Sequence, residues 1–262
     1  SDTPTTIVSN LKDDGYTCIA MHPYYETGWS RNLVYPHIGF DEMHFIDYFD
    51  QTKILREYIT DQELYDKIIR RYENRKNNEK LFFMGITMQN HGGYTETYDN
   101  FPENYYKVGR SYTDANQYLS LVHESDEAVK NLISYFSKVD DPVEIIFFGD
   151  HQPSLNSNFY PILNGKGLTG LTEDELEKLY TVPFFIWTNY DTPEETVDIT
   201  SLDYLSTMAL ERAGIELPAY NKFLADMQEV VPAINSRGYY SKSKGCYLHI
   251  DERSEERRVG KE

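Results

Sequence analysis

Three stretches of this 262-residue chain are apolar at nearly every position and then stop abruptly: Tyr16–Met21, Leu81–Met88 and Ile145–Phe148. Runs this short and this apolar predict strands buried on both faces, as in a parallel sheet covered by helices. Thr181–Thr188 is a further strand, and Pro183 places it at an edge or near its own start, with Trp187 in the core. Gly39–Ile46 predicts a short edge strand. Helical spacing takes over between the strands. Thr5–Gly15 predicts a short helix leading into Tyr16. Asp61 is expected to cap a helix in which Leu64, Ile68, Ile69 and Tyr72 recur at three- and four-residue steps. The clearest helix is Asp114–Val139, with Asp114 as N-cap and a stripe of Tyr118, Leu121, Val122, Val129, Leu132, Ile133 and Phe136. His123, Glu124, Asp126 and Glu127 fall beside or off that stripe and read as a solvated face.

Thr172 with Glu175 three residues later forms a capping box. Ser201–Ala213 and Asn221–Val231 are helices stopped by Gly214 and Pro232. Tyr239–Tyr247 reads as a terminal hairpin around Ser243–Gly245. Asp99–Thr113 lacks periodicity and is expected to be a surface loop, and the glycines of Leu155–Leu171 predict a flexible one. Strands and helices alternate with no repeat, which predicts an α/β fold built as a three-layer α/β/α sandwich.

Chemistry collects where the apolar runs stop. Ile145–Phe148 gives way to Gly149-Asp-His-Gln-Pro153, Leu81–Met88 to Gln89-Asn-His-Gly-Gly-Tyr94, and Tyr16–Met21 to His22-Pro-Tyr-Tyr-Glu-Thr-Gly-Trp-Ser-Arg31. Open α/β sheets bind ligands just beyond the carboxyl ends of their strands. Asp150 and His151 are a carboxylate and an imidazole, donors suited to a divalent cation. Each also has a plainer reading, as a helix cap and a loop residue. His91 stands at a second strand end, where Gly92 and Gly93 leave room for a ligand against the backbone. Trp29 and Arg31 form either a stacked surface pair or a binding wall. His22 either binds substrate or orders its own loop. Three such strand ends suggest one convergent site.

The GDHQP, NHGGY and HPYYETGWSRN segments, in this order and context, resemble the extracellular domain of lipoteichoic acid synthase-like phosphoglycerol transferases of the sulfatase and alkaline phosphatase superfamily. The resemblance runs from about Leu11 to about Tyr240. It implies that Asp150 and His151 ligate Mn2+ or Mg2+, that His91 lies beside the phosphoryl group, and that Trp29, Arg31 and His22 contact glycerol phosphate. It implies a phosphatidylglycerol-like donor, and a polyglycerolphosphate or glycolipid acceptor. It further implies the extracellular face of a bacterial membrane, with the anchor outside these residues. The family's nucleophilic threonine belongs to a segment upstream of this one. Thr3, Thr5 and Thr6 lie too close to the first helix–strand unit to replace it, so no turnover is expected from these residues alone. Some relatives carry an acid where this chain has Tyr24. A sulfatase or phosphodiesterase of the same superfamily is the alternative enzyme, and a glycan-binding module rich in tyrosine is a third reading.

Composition and the chain's last residues add four points. A net charge of −18 argues against nucleic acid, which calls for basic patches, and a cation, Arg31 and the histidines would then make a locally positive cleft in an acidic shell. No run reaches the roughly 18 apolar residues of a membrane span. Cys18 lies in a predicted strand as a core residue, and its pairing with Cys246 stays open. Arg253–Glu262 has no apolar periodicity and resembles the translation of a short-read sequencing adapter, so the domain is expected to occupy residues 1–252 and the tail to lie outside it.

Overall fold

A computed structural model of the chain describes residues 6–101 and 112–249, which fall into two compact units. The first comprises Ser1–Val139 with Pro153–Gly165, and the second Asp140–Gln152 with Lys166–Glu262. Thr3, Thr5, most of the Asp99–Thr113 segment and the tail from Arg253 lie outside the described residues.

In the first unit, helix α1 (Ile7–Asp13) leads into strand β1 (Tyr16–Met21) as predicted. Thr6 caps α1 in a reciprocal box with Ser9: its Oγ1 accepts from the Ser9 amide at 3.2 Å, and Ser9 Oγ accepts from the Thr6 amide at 2.9 Å. Val8 and Leu11 of α1 pack down against the buried half of β1, Cys18–Met21. Cys18 is a buried free thiol, within 3.7 Å of the Val8 carbonyl. After α2 (Arg31–Ile38), strand β2 (Glu42–His44) joins β1 in parallel register, Ile19 opposite Glu42. A two-residue hairpin follows, β3 (Ile54–Leu55) and β4 (Tyr58–Ile59), then α3 (Asp61–Glu73) and strand β5 (Lys80–Gly85). β5 lies on the other side of β1, also parallel, from Tyr16 opposite Lys80 to Met21 opposite Gly85. The sheet order is therefore β2-β1-β5. Arg71 on α3 ties β2 to the residue that enters β5, donating to Glu42 and Glu79 at 2.8 and 2.9 Å, and holds the Glu79 carboxyl down to about 2. Helix α4 (Thr113–Phe136) packs on α3, and α5 (Tyr160–Asn164) completes the unit.

Two predicted caps are corrected. Thr60, not Asp61, caps α3 through the Glu63 amide at 3.2 Å. Asp61 turns inward instead, where Ser125 of α4 donates to it at 2.5 Å. Asp114 sits inside the first turn of α4 and accepts from the Asn156 amide at 2.5 Å. In both helices, burial against a neighbour outweighs the local pull of an acid toward the cap. The apolar stripe of α4 is as predicted except at Val122, which is 39% exposed. β5 is shorter than the Leu81–Met88 run and only half-buried, so apolarity overstated how far it is covered.

In the second unit, β6 (Glu144–Phe148) pairs antiparallel with β7 (Phe184–Thr188), Phe148 opposite Phe184, instead of entering a parallel sheet. Phe147 and Phe185 stack across the pair at 5.4 Å, and Phe148 stays 44% exposed. Pro183 immediately precedes β7, and Trp187 is half-buried within it. Helix α6 (Glu173–Glu177) begins at the predicted Thr172–Glu175 box. Helices α7 (Leu202–Arg212) and α8 (Ala219–Val230) pack together, with Asn221 donating to Thr207 at 2.9 Å. Strands β8 (Ala233–Ile234), β9 (Gly238–Ser241) and β10 (Cys246–His249) close the chain, the last two as the predicted hairpin. Cys246 is a free thiol like Cys18. Among the described residues no helix is long and apolar enough to cross a membrane.

Burial raises the Asp61 carboxyl to about 6, against the pull of its Ser125 and Gln89 hydrogen bonds. Because the fold holds that proton more tightly than the unfolded chain, this term favours folding below pH 4 and is lost as pH rises through 6. The stability of the wild type relative to Asp61→Asn should therefore fall by about 3 kcal/mol between pH 4 and pH 7. Thermal unfolding of both proteins across that range checks it, and a constant difference would contradict it.

Candidate active site

Neighbouring parallel strands that end in register deliver their following loops to one rim, and β1 and β5 do so at Met21 and Gly85. His22 continues from β1, its amide donating to the His44 carbonyl at 2.9 Å. Its Nδ1 lies 2.9 Å from the Ile86 carbonyl, an atom that only accepts, so the ring proton sits on Nδ1. Nε2 is buried with no hydrogen-bond partner. Burial, reinforced by the Arg31 charge and opposed by the Ile86 bond, lowers the pKa to about 4. His22 is thus neutral at pH 7 and holds a buried lone pair.

The chain then turns through Trp29 and Ser30, both left-handed at φ 52° and 56°. Two successive non-glycine residues in that region store strain. The turn leaves the indole 57% exposed, with its ring 5.8 Å from His22 and 6.0 Å from His91. Arg31 opens α2 and lays its guanidinium over the indole at 4.4 Å. Gly28 O accepts from its Nη1 at 3.2 Å, and Tyr35 Oη accepts from its Nε at 2.9 Å.

His91 stands on the loop after β5 with its side chain exposed. Its Nδ1 is 3.3 Å from the Tyr58 hydroxyl. With Tyr58 donating, the imidazole carries its proton on Nε2. The loop turns at Gly93, φ 91°. Beyond it opens a pocket of about 280 Å³ lined by Gly93, Tyr94, Thr95, Thr113, Asp114, Ser154 and Asn156.

In the second unit, Gly149 passes close to Val182. A Cβ there would come within 3.0 Å of the Val182 Cβ, so packing favours glycine before the acid. Asp150 and His151 follow, both well exposed. Asp150 Oδ1 accepts from the His151 amide at 2.8 Å. Its Oδ2 lies 3.5 Å from His151 Nε2, while His151 Nδ1 reaches the Gln152 carbonyl at 2.9 Å. Gln152 is itself anchored by donating to the Thr181 carbonyl. A proton on Nδ1 leaves Nε2 as a lone-pair donor, the usual arrangement of a ligating histidine. Two ligands of one tetrahedral ion, each about 2.1 Å from it, stand about 3.4 Å apart, and adjacent ligands of an octahedral ion about 3.0 Å. Oδ2 and Nε2, 3.5 Å apart, meet the first separation and lie about half an ångström beyond the second, a gap that two exposed side chains can close. Among the described residues no three His, Cys, Asp or Glu gather around a common point.

The six residues read from the sequence thus fall into two sets. His22, Trp29, Arg31 and His91 share one rim of the first unit, and Asp150 and His151 are side by side in the second. Sequence reasoning missed Arg56 and Tyr58, because the Ile54–Ile59 hairpin has no Asn-Gly or Asp-Gly turn to announce it.

The sulfatase family profile matches residues 1–215. The chain belongs to the sulfatase family. A putative cyclic beta-1,2-glucan modification protein of Rhizobium meliloti is 27% identical over 232 residues, covering 86% of this chain and 36% of that protein. Among solved structures, the Streptococcus pyogenes phosphoglycerol transferase GacH, in complex with sn-glycerol-1-phosphate, matches with a TM-score of 0.67 at 20% identity, over 90% of this chain and 63% of that one. The lipoteichoic acid synthase LtaP of Listeria monocytogenes matches at 0.63 and 19% identity, over 82% of this chain and 53% of that one. These likenesses show the sulfatase-type α/β fold expected from the sequence. The chain spans little more than a third of the length of its Rhizobium relative.

The two glycines after His91 are not equivalent. A Cβ at either meets nothing within 4 Å, but only Gly93 has positive φ. Gly93→Ala should cost about 1–2 kcal/mol and Gly92→Ala distinctly less. Denaturant midpoints of the two variants measure this, and equal losses would refute the strain argument.

Proposed function

We propose that this sulfatase-family chain handles glycerol phosphate as part of a metal-dependent phosphoglycerol transferase, moving it from a phosphatidylglycerol-like lipid to a cell-envelope polymer or glycolipid. The observation that carries this reading is the gathering of His22, Trp29, Arg31 and His91 on one rim. Its chemistry suits a small anionic polyol: a cation, an imidazole donor, an aromatic wall and a buried lone pair. The likeness to a solved phosphoglycerol transferase and a lipoteichoic acid synthase supports it.

In this reading Asp150 and His151 hold Mn2+ or Mg2+, which when bound supplies the divalent positive charge that phosphoryl chemistry calls for. His91 offers Nε2–H to a phosphoryl oxygen as a hydrogen-bond donor, and Tyr58 fixes the tautomer from the other side of the ring. Arg31 keeps Nη2 for the phosphate, since Nε and Nη1 are engaged by Tyr35 and Gly28. Trp29 supplies the wall, and its exposed indole lets glycerol lie against it. His22 Nε2 accepts from a glycerol hydroxyl that enters beneath that ring. The protein would work at the extracellular face of a bacterial membrane, where its donor lipid lies. Hydrolysis of a sulfate or phosphate ester is the second reading, favoured by the family match itself.

Calorimetric titration with Mn2+ should show Asp150→Ala and His151→Ala each weakening the metal at least about tenfold. Titration with sn-glycerol-1-phosphate should show a similar loss for Arg31→Ala and His91→Ala, with free sulfate a poor competitor. Wild-type Mn2+ affinity in Asp150→Ala would sink the metal assignment. Binding of sulfate in preference to glycerol phosphate would favour the hydrolase.

A further inference from the structure

His91 is placed by a residue outside every sequence motif described above. Arg56 is the first residue of the two-residue turn between β3 and β4, and it adopts φ 55°. Positions of that kind favour glycine, asparagine or aspartate; a long side chain there is held against its backbone preference. The turn delivers the guanidinium inward, and Arg56 is 5% exposed. Three carbonyls of the His91 loop receive it. Nη2 donates to Gln89 O at 2.9 Å and to His91 O at 2.7 Å, and Nη1 donates to Gly93 O at 3.1 Å. Gln117 Oε1 on α4 also accepts from Nη1, at 3.2 Å. The rings of Tyr58, Tyr94 and Tyr98 surround the cation at 5.4–5.9 Å. Among the described residues it makes no ion pair, and its Nε has no partner.

A buried cation with no carboxylate opposite it among the described residues is a poor stability device, because the groups seen to offset its desolvation are dipoles and ring faces. What it does well is geometric. Gln89, His91 and Gly93 alternate along the loop, so one planar fork grips every second carbonyl and fixes the path of the chain on both sides of His91. The same hairpin brings Tyr58, two residues later, against the His91 ring at 3.3 Å.

We propose that Arg56 is the positioning residue for His91, setting the loop so that the imidazole meets the phosphoryl group. This rests on the reading of His91 as a phosphoryl contact. It acts through main-chain carbonyls and touches no substrate itself.

Arg56→Lys keeps the charge but lacks the planar fork. In the 262-residue chain we expect Arg56→Lys to fold, with a melting temperature within a few degrees of wild type. The His91 ring signals in a proton–carbon NMR spectrum should shift or broaden. Affinity for sn-glycerol-1-phosphate should fall about tenfold, matching His91→Ala, and the double variant should lose no more than either single one. Unchanged His91 signals and affinity would overturn the proposal. So would losses that add in the double variant, or an Arg56→Lys chain that does not fold, since Arg56 would then serve the fold alone. If the wild-type chain binds no sn-glycerol-1-phosphate, the functional reading fails. The His91 signals then still decide whether Arg56 positions the ring.

Discussion

A guanidinium taken out of water, with no counter-carboxylate among the described residues, is a demanding group to bury, and much of the candidate site is arranged around it. Arg56 has to find acceptors, and it finds them in the loop that follows β5. Those carbonyls belong to a segment with two glycines, whose middle residues His91–Gly93 are exposed and have little packing of their own. A main chain this sparse would otherwise sample many paths. The cation thus gains the partners that make its burial tolerable, and the loop gains a fixed course. Neighbouring groups extend the arrangement. Gln89 is also held from its side chain, whose Oε1 accepts from the Asp61 amide at 3.1 Å, and Asn90 donates to Ser125 at 2.9 Å. A polar core of Arg56, Asp61, Gln89, Gln117 and Ser125 therefore lies beneath the site, and hydrophobic periodicity marks none of its members.

That difference shows what was readable in the chain and what was not. Strand β1, helices α1, α7 and α8, the Thr172 box and the terminal hairpin follow from local patterns, because each is decided within a few residues. The strand ends carrying His22, His91, Asp150 and His151 were legible for the same reason: an apolar run stopping at polar groups is a local signal. What failed was long-range. Asp61 and Asp114 look like caps in sequence, yet partners 64 and 42 residues away claim their side chains. β6 reads as a strand covered on both faces, yet it takes β7 as an antiparallel neighbour and stays half-buried. Apolar content says that a strand wants cover, not who supplies it. Arg56 was least legible of all, since its turn has neither glycine nor asparagine and its partners lie 33–37 residues onward.

The two sets of candidate residues use different means of preorganisation. On the first rim, ring contacts, the Ile86 hydrogen bond and a strained turn hold His22, Trp29 and Arg31, so several elements share the task. In the second unit, order comes from adjacency. Asp150 and His151 are joined by one peptide bond, and each is steadied by a main-chain partner, the His151 amide and the Gln152 carbonyl. In the proposed metal role, donors so linked would act as a chelate: once one is engaged, the other is already at high local concentration. Exposure of both side chains would leave them free to adjust to an ion in the proposed metal role.

The brevity of the Ile54–Ile59 hairpin has an evolutionary corollary. Its two turn residues put Arg56 and Tyr58 on the main chain and the ring of His91 together, so both grips are referenced to one rigid clip. An insertion of a single residue would rotate one grip away while leaving the other in place. Homologous chains that keep an Asn-His-Gly-Gly loop should thus tolerate drift at the clip's other positions far better than loss of Arg56 or Tyr58 or any change in its length.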